Sequence, residues 1–263
     1  MPTTTPSAQR PIQITILPTT WPASILPLAV QTYKSFRLHA LKTDPKAFAM
    51  TYEQEIQFSD SRWIQRLTNK NAVQFIATYA NKTNGEIDPL EETDAQEADA
   101  REEAWRRTPW LGSLVLVRKA DDAGTGEENA FDGGLHVDLR KQNQWPTEVV
   151  FHMNAVFLDP SVRRQGLGKR MVQAARGLVA EEARQKGVGW ARMTTLVDSW
   201  NTAAIGLYAS QKFERKRVDE YKVDGERRET VEMECLLDIG LLGSGKSSSS
   251  TPCSVVALQA PVL

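Results

Sequence analysis

The stretch Asn154-Ala-Val-Phe-Leu-Asp-Pro-Ser-Val-Arg-Arg-Gln-Gly-Leu-Gly-Lys169 decides the reading of this chain. Val156, Phe157 and Leu158 form a short apolar run of strand character. Asp159-Pro160 ends the strand, because proline has no N–H for the ladder. Arg163-x-x-Gly166-x-Gly168 then opens a helix expected to reach about Gln185, with Gly187 as the residue just past its end. Two glycines let the backbone approach a ligand closely. The first N–H groups of the helix have no intrahelical partner, and the helix dipole adds positive potential, so such an end binds phosphate. Arg163, Arg164 and Lys169 place charge beside it, with Gln165 between the arginines and Gly166 and Leu167 between the two glycines.

Two other glycine loops are excluded by single residues. A dinucleotide-binding fingerprint needs a third glycine where Met171 stands. A nucleotide P-loop needs glycine at 163 and Ser or Thr at 170, and both are Arg. The pattern R-x-x-G-x-G after an apolar strand and before an amphipathic helix resembles the acyl-CoA pyrophosphate loop of GNAT-superfamily N-acetyltransferases.

Composition bounds the alternatives. At 41% hydrophobic and 25% charged residues, the 263-residue chain has the make-up of a globular protein with one good core. A net charge of −1 supplies no global field for nucleic acid or an anionic membrane, so neither is expected as a partner. No run reaches membrane-spanning length, and Met1 to Arg10 lacks the apolar core of a secretory signal. A cytoplasmic location, with nuclear entry by diffusion, is the expectation. Cys235 and Cys253 imply no disulfide framework. His39, His136 and His152 are far apart and lack ligand spacing, so no metal is expected.

The rest of the chain orders itself around that stretch. Residues 1–11 are Thr/Pro-rich and read as a flexible N-terminus, and a domain is expected over 12–239. Ile12 to Leu17 alternates like a half-buried strand, and Ser24 to about Lys42 reads as helix. Arg37-x-x-Ala40-Leu41 followed by Pro45-x-Ala47-Phe48 and acidic Glu53 resembles the superfamily segment that walls the acceptor pocket. A plain helix–turn–helix packed by Phe48 and Tyr52 fits the same residues. Ser59 to Leu67 is another helix, and Ala72–Tyr79 and Trp110–Val117 are strands. Insertions are expected at about 81–109 and 120–147. The first carries nine acidic groups and one Arg between Glu86 and Glu103, the pattern of a solvated surface or of a lure for a basic substrate. Val149 to Leu158 and Trp190 to Val197 are strands, and the helix between them places Leu167, Met171, Ala174, Ala175, Leu178 and Val179 on one face. Arg217–Val223 and Thr230–Leu236 form a hairpin around Asp224-Gly225, and 240–263 reads as a disordered tail.

Asn201-x-x-Ala204-x-x-Leu207-Tyr208-x-x-x-x-Phe213 is the second match to the superfamily, with Lys212 where its members usually have glycine. The resemblance implies an α/β fold: a central, mixed, mostly antiparallel sheet with strands splayed around the acyl-CoA loop and helices on both faces. It implies acetyl transfer from acetyl-CoA to a primary amine, on a small molecule or a peptide. It assigns strand 154–158, with Val156, Phe157 and Leu158, to the thioester and the pantetheine arm. Arg163 to Lys169, including Gly166, Leu167 and Gly168, fall to the phosphates, Asn201 to the arm, and Tyr208 to the departing thiolate as its proton donor. A homodimer is common in the superfamily. For the base, the strand offers Glu148, His152 and Asn154, of which His152 titrates in the useful range. A non-catalytic acyl-CoA-binding module and a protein scaffold using the acidic insertion remain as alternatives.

Overall fold

Seven strands form one sheet in the order β1-β2-β3-β4-β5-β7-β6: β1 (Ile12–Ile16), β2 (Ala72–Tyr79), β3 (Trp110–Arg118), β4 (Glu148–Leu158), β5 (Trp190–Asp198), β6 (Glu214–Val223) and β7 (Glu226–Asp238). The computed structural model describes residues 10–80, 108–119, 148–223 and 226–240. Residues 1–9, most of both insertions with the acidic run 86–103 and His136, the turn 224–225 and the tail from 241 lie outside the described residues.

All neighbouring strands are antiparallel except β4 and β5. A parallel pair needs a crossover, and α4 (Leu167–Gln185) supplies it. The strands read from sequence are present, with β6 and β7 running longer than the alternation alone indicated. β7 inserts between β5 and β6, so the hairpin's second strand, not its first, meets β5.

The alternation decides the two faces. Val149, Phe151 and Met153 of β4 turn towards α4 and join Met171, Val172 and Val179 in the main core. The opposite face of β2 and β3 is covered by α1 (Leu26–Thr43), α2 (Tyr52–Glu55) and α3 (Asp60–Leu67), around Tyr33, Trp63, Ile76 and Trp110. α5 (Thr202–Ser210) follows β5 and packs Ile205 and Tyr208 on the α4 side. α1 to α3 are pinned by a buried ionic group. Glu55, wholly buried, accepts from Arg37 Nη2 (2.7 Å) and Arg66 Nη1 (2.8 Å). Burial pushes the Glu55 carboxyl up, but the two guanidiniums outweigh it and hold it below the usual carboxylate range.

Candidate active site

The site begins where β4 and β5 part. Their parallel register runs from Glu148↔Trp190 to Met153↔Thr195 and goes no further. β5 continues on β7 to Asp198↔Thr230, while β4 continues on β3 to Leu158↔Gly112. The backbone of 154–158 on its β5 side is therefore left without a strand partner. A bulge sharpens the parting. Ser113 pairs with Phe157 and Val115 with Asn154, so Leu114 faces two residues, Ala155 and Val156. Ala155 takes φ +48°, and its carbonyl accepts from Ser113 Oγ at 3.1 Å. This non-glycine outlier left no trace in the sequence pattern.

Below the parting lies the loop. Asp159 Oδ1 accepts from Ser161 N–H and caps a 3-10 turn, Pro160–Val162. Gly166 then adopts φ +77° as the N-cap residue of α4, with no side chain closing the helix end. The first ladder bond of the helix is Arg170 N–H to Gly166 O at 3.1 Å, so the amides of Leu167, Gly168 and Lys169 precede it. These free amides and the positive end of a long helix fit a pyrophosphate. Arg164, Gln165 and Lys169 are exposed beside them. Gly168 is bare for a different reason from Gly166. A Cβ there would lie 3.1 Å from Leu207 Cδ2 and 3.3 Å from Leu158 Cδ1, so it lets α4 settle against α5 and β4.

The remaining expected residues are brought to the same place in different roles. Phe157 is buried among Ala40, Leu41 and Phe48, so its side chain is core and only its backbone can serve the arm. Val156 and Leu158 pack against the main core from the parting. Arg163 turns back to Leu158 O and Asp44. Asn201 caps α5, its Oδ1 accepting from Ala204 N–H at 3.1 Å, which leaves its amide N–H groups as donors. Tyr208 is buried beneath the parting, beside Phe213 and bonded to Thr195, the last β5 residue still paired with β4. Burial pushes its phenol up to about 12, against the opposing hydrogen bond from Thr195.

His152 lies on the face away from α4, with Nδ1 3.0 Å from Thr194 Oγ1. Burial, then the charge of Lys119, lowers its pKa to about 3, so the ring is neutral at physiological pH. Asn154 shares that face, and its Oδ1 is buried without a partner. Sequence reading missed a third polar group there. Asp198, at the end of β5, accepts from Tyr221 Oη (2.6 Å) and Trp200 Nε1 (3.0 Å), and Arg228 Nη1 lies 3.6 Å from it. Arg228 also donates to Lys46 O (3.3 Å), joining β7 to the turn after α1. Only alternation could have flagged it: Tyr221 and Arg228 pair across the β6–β7 hairpin. Among the described residues no cluster of His, Cys, Asp or Glu could hold a metal, and no helix is long and apolar enough to cross a membrane.

Comparison with known proteins places a family match on part of the chain. Residues 85–213 match the family profile described as Acetyltransferase (GNAT) family. This region is a GNAT acetyltransferase domain. The chain is similar to the peptidyl-lysine N-acetyltransferase YjaB of Salmonella typhimurium, 38% identical over 72 residues. The match spans 26% of this chain and 42% of that relative, less than half its length. The GNAT fold also recurs in Arabidopsis thaliana NAA60 in complex with a bisubstrate analogue: TM-score 0.51, 10% identity, 86% of this chain and 100% of that one. An acetyltransferase of GNAT family from Streptococcus pneumoniae superposes with a TM-score of 0.49 and 13% identity, over 86% of this chain and 100% of the other. The acyl donor of GNAT acetyltransferases is acetyl-CoA. The splayed strands and the uncapped helix end expected from the sequence are both present here.

Proposed function

We propose that this protein transfers an acetyl group from acetyl-CoA to a primary amine by direct attack, with a peptide lysine as the first acceptor to try. The parting of β4 and β5 over an uncapped helix end carries the reading. The α4 amides with Arg164 and Lys169 hold the donor's phosphates, and the unpaired backbone at 154–158 receives its pantetheine arm, with Asn201 donating from the other side. An N–H of the bulged stretch at Val156 stabilises the negative charge that develops on the thioester oxygen. The amine nitrogen forms its bond to the carbonyl carbon as the carbon–sulfur bond breaks. The proton lost by the ammonium, whose pKa is near ~10 in water, passes to solvent.

Tyr208 serves the sulfur. A phenol held at about 12 is protonated at every working pH. Full transfer to a thiolate with a conjugate pKa near ~8.5 would be uphill. Tyr208 therefore donates a hydrogen bond to the departing thiolate, which takes its proton from water afterwards. His152, neutral and poorly basic at a pKa of about 3, enters as a hydrogen-bonding group rather than as the base. The lysine acceptor follows the activity named for the Salmonella relative. The test is an acetylation screen with acetyl-CoA against lysine peptides, peptide N-termini, polyamines and aminoglycosides. Transfer to lysine peptides is expected. Donor binding without transfer to any amine would leave a binding module in place of an enzyme. Transfer to a small amine alone would retain the chemistry and change the acceptor.

A further inference from the structure

Sequence reading groups Arg163 with the charges of the phosphate loop, yet its side chain is engaged elsewhere. Nε donates to Leu158 O at 2.8 Å, and Nη2 donates to Asp44 Oδ2 at 2.5 Å. The guanidinium also stands over the Phe157 ring, 5.6 Å from its centroid. Asp44 is the C-cap of α1, so the cation sits at the negative end of that helix. A carboxylate in contact with a guanidinium cancels most of its field a few ångströms away. A phosphate approaching Arg163 would meet a nearly neutral pair, whereas Arg164 and Lys169 are exposed on the same loop.

We infer that Arg163 is a positioning residue: it struts the turn after α1 against the last carbonyl of β4, and it does not bind the donor's phosphates. The inference rests on the donor reading given above and adds how the acceptor wall is held to the donor strand. Other contacts join the same two elements. His39 Nε2 lies 3.1 Å from Asp159 Oδ2, and the rings of Phe36 and Phe48 lie 5.6 and 6.4 Å from Phe157. Arginine suits the strut because separate nitrogens of one rigid fork reach a carbonyl and a carboxylate together. A lysine offers one compact charge. The strut fixes Phe48 and Tyr52 relative to Val156, and so the space through which an amine reaches the thioester. Misplacement of about 1 Å in such a site lowers turnover markedly.

The variants Arg163→Lys, Arg163→Gln, Asp44→Asn and the double Arg163→Gln/Asp44→Asn separate the two roles. Acetyl-CoA affinity is measured by calorimetry at low and high salt, and transfer is followed with a peptide bearing one free lysine. For a strut, acetyl-CoA Kd stays within about threefold and keeps the wild-type salt dependence, while the peptide KM rises about tenfold with a smaller fall in kcat. Arg163→Lys behaves like Arg163→Gln, and the double variant is no worse than either single one. Three results overturn the inference. Asp44→Asn binds acetyl-CoA more tightly, because it frees the guanidinium. Arg163→Lys keeps an affinity that Arg163→Gln loses. Arg163→Gln flattens the salt dependence. If wild-type protein does not bind acetyl-CoA, the donor reading fails and melting decides the strut. Equal, non-additive losses in Asp44→Asn and Arg163→Gln uphold it, and additive losses overturn it.

Discussion

Tyr208 illustrates how little a side chain's ordinary chemistry says before its surroundings are known. Buried against Phe213 and bonded to Thr195, its phenol at about 12 keeps its proton. Tyr208→Phe retains the ring and its packing. The expected outcome is a kcat lower on the order of 10²-fold with acetyl-CoA affinity unchanged, the size of one lost donor to developing charge. Steady-state kinetics beside calorimetry check it, and undiminished turnover would leave the thiolate to water or Asn201. His152 makes the opposite point. Its folded pKa of about 3 lies below the unfolded value of 6.5. Between those limits the unfolded chain binds a proton that the folded chain refuses. Stability is therefore unaffected above pH 6.5 and falls as pH drops towards 3, with a limiting slope of about 1.4 kcal/mol per pH unit. Denaturant melts at pH 7 and pH 4.5 should show a smaller loss in His152→Gln than in wild type. The same substitution should leave the activity profile above pH 6 unchanged in shape, since His152 does not titrate there. A lost limb near pH 7 would restore it as the base.

At the scale of elements, the parts read correctly from sequence are those whose local chemistry allows few alternatives. R-x-x-G-x-G fixes the loop because position 166 needs φ +77°, which glycine reaches without strain. Two-residue alternation placed β1 and the β6–β7 hairpin, an apolar run placed the end of β4, and Gly187, at φ +66°, ends α4. Features set by distant partners were illegible. Arg163 meets Asp44 across 119 residues, and β7 lies between β5 and β6 through its pairing with β5. The bulge at Ala155 uses a residue with no preference for positive φ. One departure from the superfamily pattern was visible and carries a consequence. Lys212 closes α5 at φ +65°, with its N–H on Ala209 O and that of Phe213 on Tyr208 O. A left-handed lysine costs about 1–2 kcal/mol, and glycine's extra unfolded-state freedom returns about half of that. Lys212→Gly should therefore stabilise by about 0.5–1 kcal/mol, seen as a midpoint shift in denaturant at constant m. A destabilised variant would show that the lysine side chain supports the turn.

For the whole molecule, the sheet shows where extra sequence can be carried. β2 and β3 are adjacent and antiparallel, with Thr78 opposite Trp110, so the segment 81–107 leaves and rejoins the sheet at one end. Ala80 N–H still bonds Pro11 O there, which ties that corner to the N-terminal strand. A hairpin of this register can be closed by two to five residues or so. Replacing 81–107 with a short glycine-containing turn therefore asks nothing new of the sheet. If the segment contributes no packing, the shorter loop lowers the entropy of closure, and stability rises by about 1–2 kcal/mol. The loop proposed to bind the donor belongs to β4 and α4, at the other side of β3, so acetyl-CoA affinity should not change. The acceptor is where the acidic run between Glu86 and Glu103 would act. A lure for basic substrates works through long-range attraction, so its removal should raise KM for a lysine-rich peptide and leave a neutral single-lysine peptide unaffected. That difference should vanish at high salt, as screening removes the attraction in the parent protein too. Equal kinetics for both peptides in the shortened protein would make the run a solvated surface and nothing more. A large loss of stability would show instead that the insertion packs on the domain.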